Sequence, residues 1–200
     1  MNSNNIQSFN ENILPWERGV RKGGMMNKEV MRRNLLDFKE VLDKYNVVFV
    51  FIFGGLLGLI RQGDFIPYDT DLDVACFDES KRRDHWKLAK IKEELKQKGF
   101  YVVSNDVCYL HNDFFIREGE KIEIWWFDKI DDEWIFGNTV RYPAHYFDKL
   151  DEIDFLKTKF KVPSNAEEFL KLTYGKNWKK PKKDAIYLNL NVRKRKKNEH

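Results

Sequence analysis

Gly54-Gly55-Leu56-Leu57-Gly58-Leu59-Ile60-Arg61-Gln62-Gly63-Asp64-Phe65-Ile66-Pro67-Tyr68-Asp69-Thr70-Asp71-Leu72-Asp73 joins two apolar stretches of the chain. Residues 47–53, a β-branched and aromatic run, read as a buried central strand that enters the glycine pair. A short apolar helix over 56–62 follows, and the chain emerges through Pro67 into Asp69, Asp71 and Asp73. Residues 72–77 then read as a strand. Successive side chains on a strand alternate faces, so Asp71 and Asp73 share one face while Leu72, Val74 and Cys76 take the other. Carboxylates held together raise each other's pKa unless a cation sits between them. A hard divalent ion with oxygen ligands, Mg²⁺ or Mn²⁺, is the expected cofactor.

A bare Asp-x-Asp is a weak signal, because acids near a turn are usually solvated. The context strengthens it. Glycines let backbone approach a ligand closely, and a helix N-terminus after them offers unpaired N–H groups to phosphate. Gly54 and Gly55 are therefore candidate substrate-binding positions, placed just ahead of an acid-bearing strand.

Two metal ions a few Å apart share ligands, which calls for a third acid. In Lys121-Ile122-Glu123-Ile124-Trp125-Trp126-Phe127-Asp128, parity sets Ile122, Ile124 and Trp126 on one face, with Glu123, Trp125 and Phe127 on the other. A carboxylate among large apolar groups is costly to bury unpaired, which makes Glu123 the candidate third ligand. The competing reading pairs Glu123 with Lys121 on an exposed strand. Asp128 has the wrong parity and ranks below it. Asp69 is a candidate ligand through water or an organiser of the loop. Arg61 can clamp a phosphate with its guanidinium fork. Tyr68, Trp125 and Trp178 offer surfaces for a base or a quaternary ammonium, although aromatic residues in a small α/β domain are more often core.

Residues 54–73 closely resemble the signature of the LicD/fukutin family of phospho-alcohol transferases. That signature runs Gly-(Ser/Thr)-Leu-Leu-Gly, two residues, Arg, a spacer, Ile-Pro-Trp-Asp, one residue, Asp-(Ile/Val)-Asp. Gly54, Leu56, Leu57, Gly58, Arg61, Ile66, Pro67, Asp69, Asp71 and Asp73 fall in register. Gly55 departs from the usual hydroxyl residue, and Tyr68 from the usual Trp. Val162-Pro163 followed by Tyr174-Gly175 and Pro181 resembles the family's closing pattern, and Glu123 stands where the family usually has Asp.

The resemblance implies a small nucleotidyltransferase-like α/β (α+β) domain, a mixed sheet flanked by helices. It implies transfer of a phospho-alcohol group, such as phosphocholine or ribitol phosphate, from a CDP-activated donor. The acceptor would be a hydroxyl of a glycan or glycolipid. Asp71, Asp73 and Glu123 would be catalytic, the same three with Asp69 metal-binding, and Gly54, Gly55, Arg61 and Tyr68 substrate-binding. The alternatives are a nucleotidyltransferase acting on nucleic acid or a small molecule, and a non-catalytic relative that binds a phosphorylated ligand.

Composition fits one domain of 200 residues, with 15% aromatic residues and 34% charged. The net charge of +4 is concentrated in Arg193-Lys194-Arg195-Lys196-Lys197, and without it the chain is close to neutral. That balance argues against a broad nucleic-acid surface. Cys76 and Cys108 suggest neither a zinc site nor a disulfide framework. The longest uncharged run, residues 47–60, is too short to span a bilayer. The first residues lack a signal-peptide core. A cytoplasmic protein is expected, with peripheral attachment to a membrane as the alternative.

The expected organisation is a loose leader over 1–24, a domain over 25–185 and a disordered basic tail over 186–200. Helices are expected from Asn27 to Tyr45, from a Ser80 cap to Lys98 with Gly99 as its stop, near 145–150, and over 165–174. Val30, Phe38, Val41, Leu42 and Tyr45 form the stripe of the first. Further strands are expected over 100–104, 114–117, 121–128 and 134–136.

Overall fold

The computed structural model describes residues 19–21, 24–78, 85–105, 111–137 and 140–181. The expected Ser80 cap, Cys108, the basic tail and most of the leader lie outside the described residues.

Helix α1, Lys28–Lys44, starts where the Asn27 side chain accepts the Val30 N–H at 3.2 Å, the ordinary way to satisfy a first-turn donor. Its inner face is Met31, Leu35, Phe38, Val41 and Leu42. Val30 and Tyr45, expected in that stripe, are only half-buried, so the true face is rotated toward Met31 and Leu35.

The strand expected over 47–53 is shorter. Only Phe49–Phe51 of that run pairs as a strand, β1, and Val48 is exposed. The chain turns at Ile52, and α2 runs Phe53–Gln62. Gly54 and Gly55 therefore lie inside the first turn of α2, not in a turn before it. Phe53 adopts φ 44°, which a bulky residue rarely takes; its buried ring packs edge-on against Trp125 at 4.9 Å and helps hold the strained junction. Gly58 is needed for close approach, because a Cβ there would stand 2.6 Å from the Asp64 carbonyl oxygen. Gly63, at φ 69°, stops the helix.

Strand β2 spans Leu72–Asp78 and α3 spans His85–Gln97, with Leu88, Ile91 and Leu95 inward and Gly99 at φ 88° after it. Then come β3 (Tyr101–Asn105), β4 (Asn112–Arg117), β5 (Glu120–Ile130) and β6 (Glu133–Phe136). Three strands go beyond the sequence reading: β7 (Val140–Pro143), β8 (Leu150–Phe155) and β9 (Thr158–Pro163). The short helices expected near 145–150 and 165–174 are α4, His145–Asp148, and α5, Ala166–Tyr174.

Among the described residues nine strands form one mixed sheet in the order β3-β4-β5-β2-β1-β9-β8, with β6 on the far part of β5 and β7 on β6. Most pairs are antiparallel; β2 with β5 and β1 with β9 are parallel. Helices α1 and α3 pack together and against β5 and β3, whereas α2 packs on β2 and α5. Aromatic side chains fill the core, with Phe38 edge-on to both Phe49 and Phe115 at 5.3 Å. The arrangement places the N-terminus of α2, the start of β2 and the start of β5 at one end of the sheet.

Candidate active site

Strands β2 and β5 are adjacent and parallel, with Asp73 opposite Glu123. Residues in register on neighbouring strands point to the same face, and Asp71 joins them from the residue before β2. Ligand oxygens of Asp71, Asp73 and Glu123 all lie within 4.8 Å of one another. Three carboxylates at that spacing form an all-oxygen donor set suited to a hard divalent ion.

Lys121 occupies the same face two residues earlier. Its Nζ lies 2.9 Å from Asp71 Oδ2 and 3.5 Å from Glu123 Oε2, and stands 5.3 Å over the Phe114 ring. The ammonium is a stand-in for a metal charge in this cluster, which supports the fit of a cation there. Glu123 faces the aspartates and also pairs with Lys121, but it is buried, not on the exposed strand that the competing reading required.

The acids are braced from outside. Asn112 Nδ2 donates to Glu123 Oε1 at 2.7 Å, and Trp125 Nε1 donates to Asp73 Oδ1 at 2.9 Å. Trp125, one of the three aromatic residues offered as a stacking surface with core the commoner role, packs between Phe53 and Phe136, at 4.9 and 4.4 Å. Trp125 stays half-buried, whereas Trp178 is buried. Tyr68 remains 61% exposed, on the loop between α2 and β2, where a ligand can reach it.

Asp69 lies outside the metal-sized group. Its carboxylate rests on the first turn of α2, where a Cβ on Gly54 would come within 2.0 Å of Oδ2, and Oδ1 accepts the Thr70 N–H at 3.1 Å. Gly54 thus makes room for an acid. A Cβ on Gly55 would meet Leu72 Cδ1 at 2.6 Å, so that side of Gly55 faces the core. The first-turn N–H groups of α2 remain the donors available there. Arg61 sits two turns on, and helical spacing sets it on the Gly54 side of α2. Among the described residues no carboxylate forms an ion pair with it, and its charge reaches the Tyr174 phenol. Asp128 lies toward the far end of β5, opposite Ile135 and away from the cluster.

Electrostatics follow from burial and crowding. Burial, then Asp71, Glu123 and Asp69, push the Asp73 carboxyl well above the usual range, against the Trp125 hydrogen bond. Burial likewise lifts Glu123 to about 7; Lys121 and Asn112 oppose the rise and Asp71 adds to it. Asp69 is raised to about 6 by burial and by Asp71. Burial alone would lower the Lys121 ammonium, but Asp71 and Glu123 outweigh it and hold it above the ordinary lysine value. Burial and the charges of Asp73 and Asp69 also keep the Tyr174 phenol protonated. Sequence reasoning assigned neither Lys121, Asn112 nor Tyr174 to the site; strand parity could have found Lys121.

A pH dependence follows. Glu123 and Asp69 have folded pKa values above their unfolded ones, so the folded state holds extra protons between about pH 4 and 7. That contribution is complete below the unfolded values and is lost as pH rises through 6 and 7. The melting temperature in EDTA should therefore fall between pH 5 and 8, and excess Mn²⁺ should flatten or reverse the slope. A metal-free melting temperature that rises steadily over this window would count against a crowded acid cluster.

The family model described as LicD/FKTN/FKRP, nucleotidyltransferase domain, matches residues 46–165. Ribitol 5-phosphate transferase FKRP of Homo sapiens is 27% identical over 137 residues, covering 61% of this chain and 26% of that protein. Ribitol-5-phosphate transferase FKTN of Homo sapiens is 29% identical over 150 residues, covering 72% and 32%. This chain thus spans between about a quarter and a third of the length of these relatives. The solution structure of the antibiotic-resistance factor ANT(2'')-Ia aligns with 68% of this chain and 66% of its own, at a TM-score of 0.48 and 14% identity. No helix among the described residues is long and apolar enough to cross a membrane. With the signature residues in register and the family model matched over most of the sheet, the chain belongs to the LicD/FKTN/FKRP nucleotidyltransferase-domain family.

Proposed function

We propose that this chain is a divalent-metal-dependent transferase that moves a phospho-alcohol group from a CDP-activated donor to a hydroxyl of a glycan-type acceptor. The observation that carries the reading is the convergence of Asp71, Asp73 and Glu123, with ligand oxygens within 4.8 Å, at the end of the sheet where α2 begins. The ribitol-phosphate transferases among its relatives support the class of group transferred.

Asp71, Asp73 and Glu123 would hold Mg²⁺ or Mn²⁺. The ion would supply charge neutralisation for the donor diphosphate and the departing CMP. Glu123 would also stand where it could take the proton that an acceptor hydroxyl gives up. Lys121 adds a positive charge on the same face, able to meet a phosphate oxygen. The first-turn amides of α2 at Gly54 and Gly55, together with Arg61, would orient phosphates, and exposed Tyr68 would cover the alcohol or base. Catalysis is then alignment and electrostatic stabilisation.

The test is a donor panel. CDP-ribitol, CDP-choline, CDP-glycerol and nucleoside triphosphates are added with and without Mn²⁺, reading melting temperature and CMP release. One CDP-alcohol should stabilise the fold only with the ion, by about 2.7 kcal/mol at a hundred times its Kd, and should release CMP to an acceptor. Stabilisation by triphosphates alone, with pyrophosphate release, would favour nucleotidyl transfer instead.

A further inference from the structure

Residues 19–21 and 24–27 precede the stretch matched by the family model, yet they are tied to the site from two sides. On one side, Val20 bridges to Gly119, and the Arg21 N–H donates to the Gly119 carbonyl at 2.9 Å. Gly119 lies in the turn between β4 and β5, one residue before Glu120 and two before Lys121. On the other side, the Met26 N–H donates to the Pro67 carbonyl at 2.6 Å, and Arg21 Nη2 donates to the Asp69 carbonyl.

Arg21 is the hub. Its Nε lies 3.2 Å from Glu120 Oε1 and donates to the Met25 carbonyl at 3.2 Å. Glu120 is 1% exposed; its Oε1 also accepts the Asn27 N–H at 2.8 Å, while Oε2 is buried with no hydrogen-bond partner among the described residues. A buried carboxylate so placed is costly without its guanidinium, so the pair is built to persist. One guanidinium thus fastens the start of β5, which carries Lys121 and Glu123, to the 66–71 loop, which carries Asp69 and Asp71.

We propose that residues 19–21 and 24–27 act as a strap in which Arg21 is a positioning residue, holding the 66–71 loop so that Asp71 meets Asp73 and Glu123. Its consequence for metal binding rests on the function proposed above; its hold on the loop does not.

The experiment uses the full chain carrying Arg21→Ala, Arg21→Lys and the double change R21A/E120Q. The double variant removes the stranded charge and guards against simple misfolding. Amide hydrogen exchange of residues 68–71 is read in EDTA, and Mn²⁺ affinity by electron paramagnetic resonance. Exchange of the loop should rise at least tenfold in Arg21→Ala and stay raised in R21A/E120Q even as its melting temperature recovers. Mn²⁺ affinity should fall about tenfold in both, and Arg21→Lys, which keeps charge but loses the fork, should fall between. Loop exchange at the wild-type level in R21A/E120Q would overturn the strap, whatever the metal does. A wild-type chain that bound no Mn²⁺ while loop exchange still rose in the variants would overturn the metal reading and sustain the strap.

Discussion

Asp73→Asn is expected to lower turnover with the cognate donor at least a hundredfold while raising the melting temperature of the metal-free protein. Opposite signs are expected because Asp73 carries the largest conflict in the site. Its carboxyl is pushed up by burial and by three neighbouring acids, and Lys121 forms its ion pairs with Asp71 and Glu123 instead. Only the Trp125 indole N–H donates to it among the described residues. Asn keeps the shape and can accept that same hydrogen bond, so the fold loses only a minor attraction to Lys121 and sheds a larger like-charge cost. Relief of about 1–2 kcal/mol would raise the melting temperature by several degrees in a chain of this size. As a proposed metal ligand, Asp73 would take with it electrostatic stabilisation of the transition state comparable to that of an oxyanion-hole donor, about 2.7–4 kcal/mol, hence the hundredfold figure. Scanning calorimetry in EDTA and single-turnover CMP release read the two effects. Near-normal turnover in the variant would sink the metal assignment, and a lower metal-free melting temperature would contradict the crowding.

How much of this was legible in the sequence depended on whether the information was local. Alternation along β2 and β5 set the faces of Asp73 and Glu123, and the structure makes these strands neighbours in register. The β8–β9 hairpin was overlooked although Phe160 and Val162 alternate with Lys159 and Lys161. Its two-residue turn is Leu156-Lys157, at φ 52° and 61°, with no Gly or Asn to announce it. The Arg117–Glu120 turn was visible because Gly119 supplies one of its positive φ angles. Gly54 and Gly55 read as a phosphate-binding pair, and nothing in the sequence signalled that Gly54 also makes room for Asp69 or that Gly58 stands against the Asp64 carbonyl. Those are pairwise approaches that only the folded chain defines. Asn112 and Arg21 were missed for the same reason, since their partners lie 11 and 48 residues away.

Glu123→Gln should weaken Mn²⁺ binding and turnover together, each by about a hundredfold, because it removes charge and little else. Gln keeps the length, and its Oε1 can still accept from Asn112 Nδ2, now at 2.7 Å from the carboxylate. The Lys121 ammonium would then lose one of its two acids and lean on Asp71 alone, where it opposes an incoming cation. Glu123→Asp restores the charge on a side chain one methylene shorter. It gives up the Asn112 contact but places a carboxylate where the family signature commonly has one, so about a tenfold loss is expected. Mn²⁺ titration followed by electron paramagnetic resonance gives the affinities, and CMP release at saturating metal separates binding from turnover. Should Glu123→Gln bind Mn²⁺ as the wild type does, β5 would not furnish the third ligand, and Asp69 would be the next carboxylate to replace. If Glu123→Asp instead proved as inert as Glu123→Gln, reach rather than charge would govern this position. The brace from Asn112 to Glu123 would then matter as much as the acid itself.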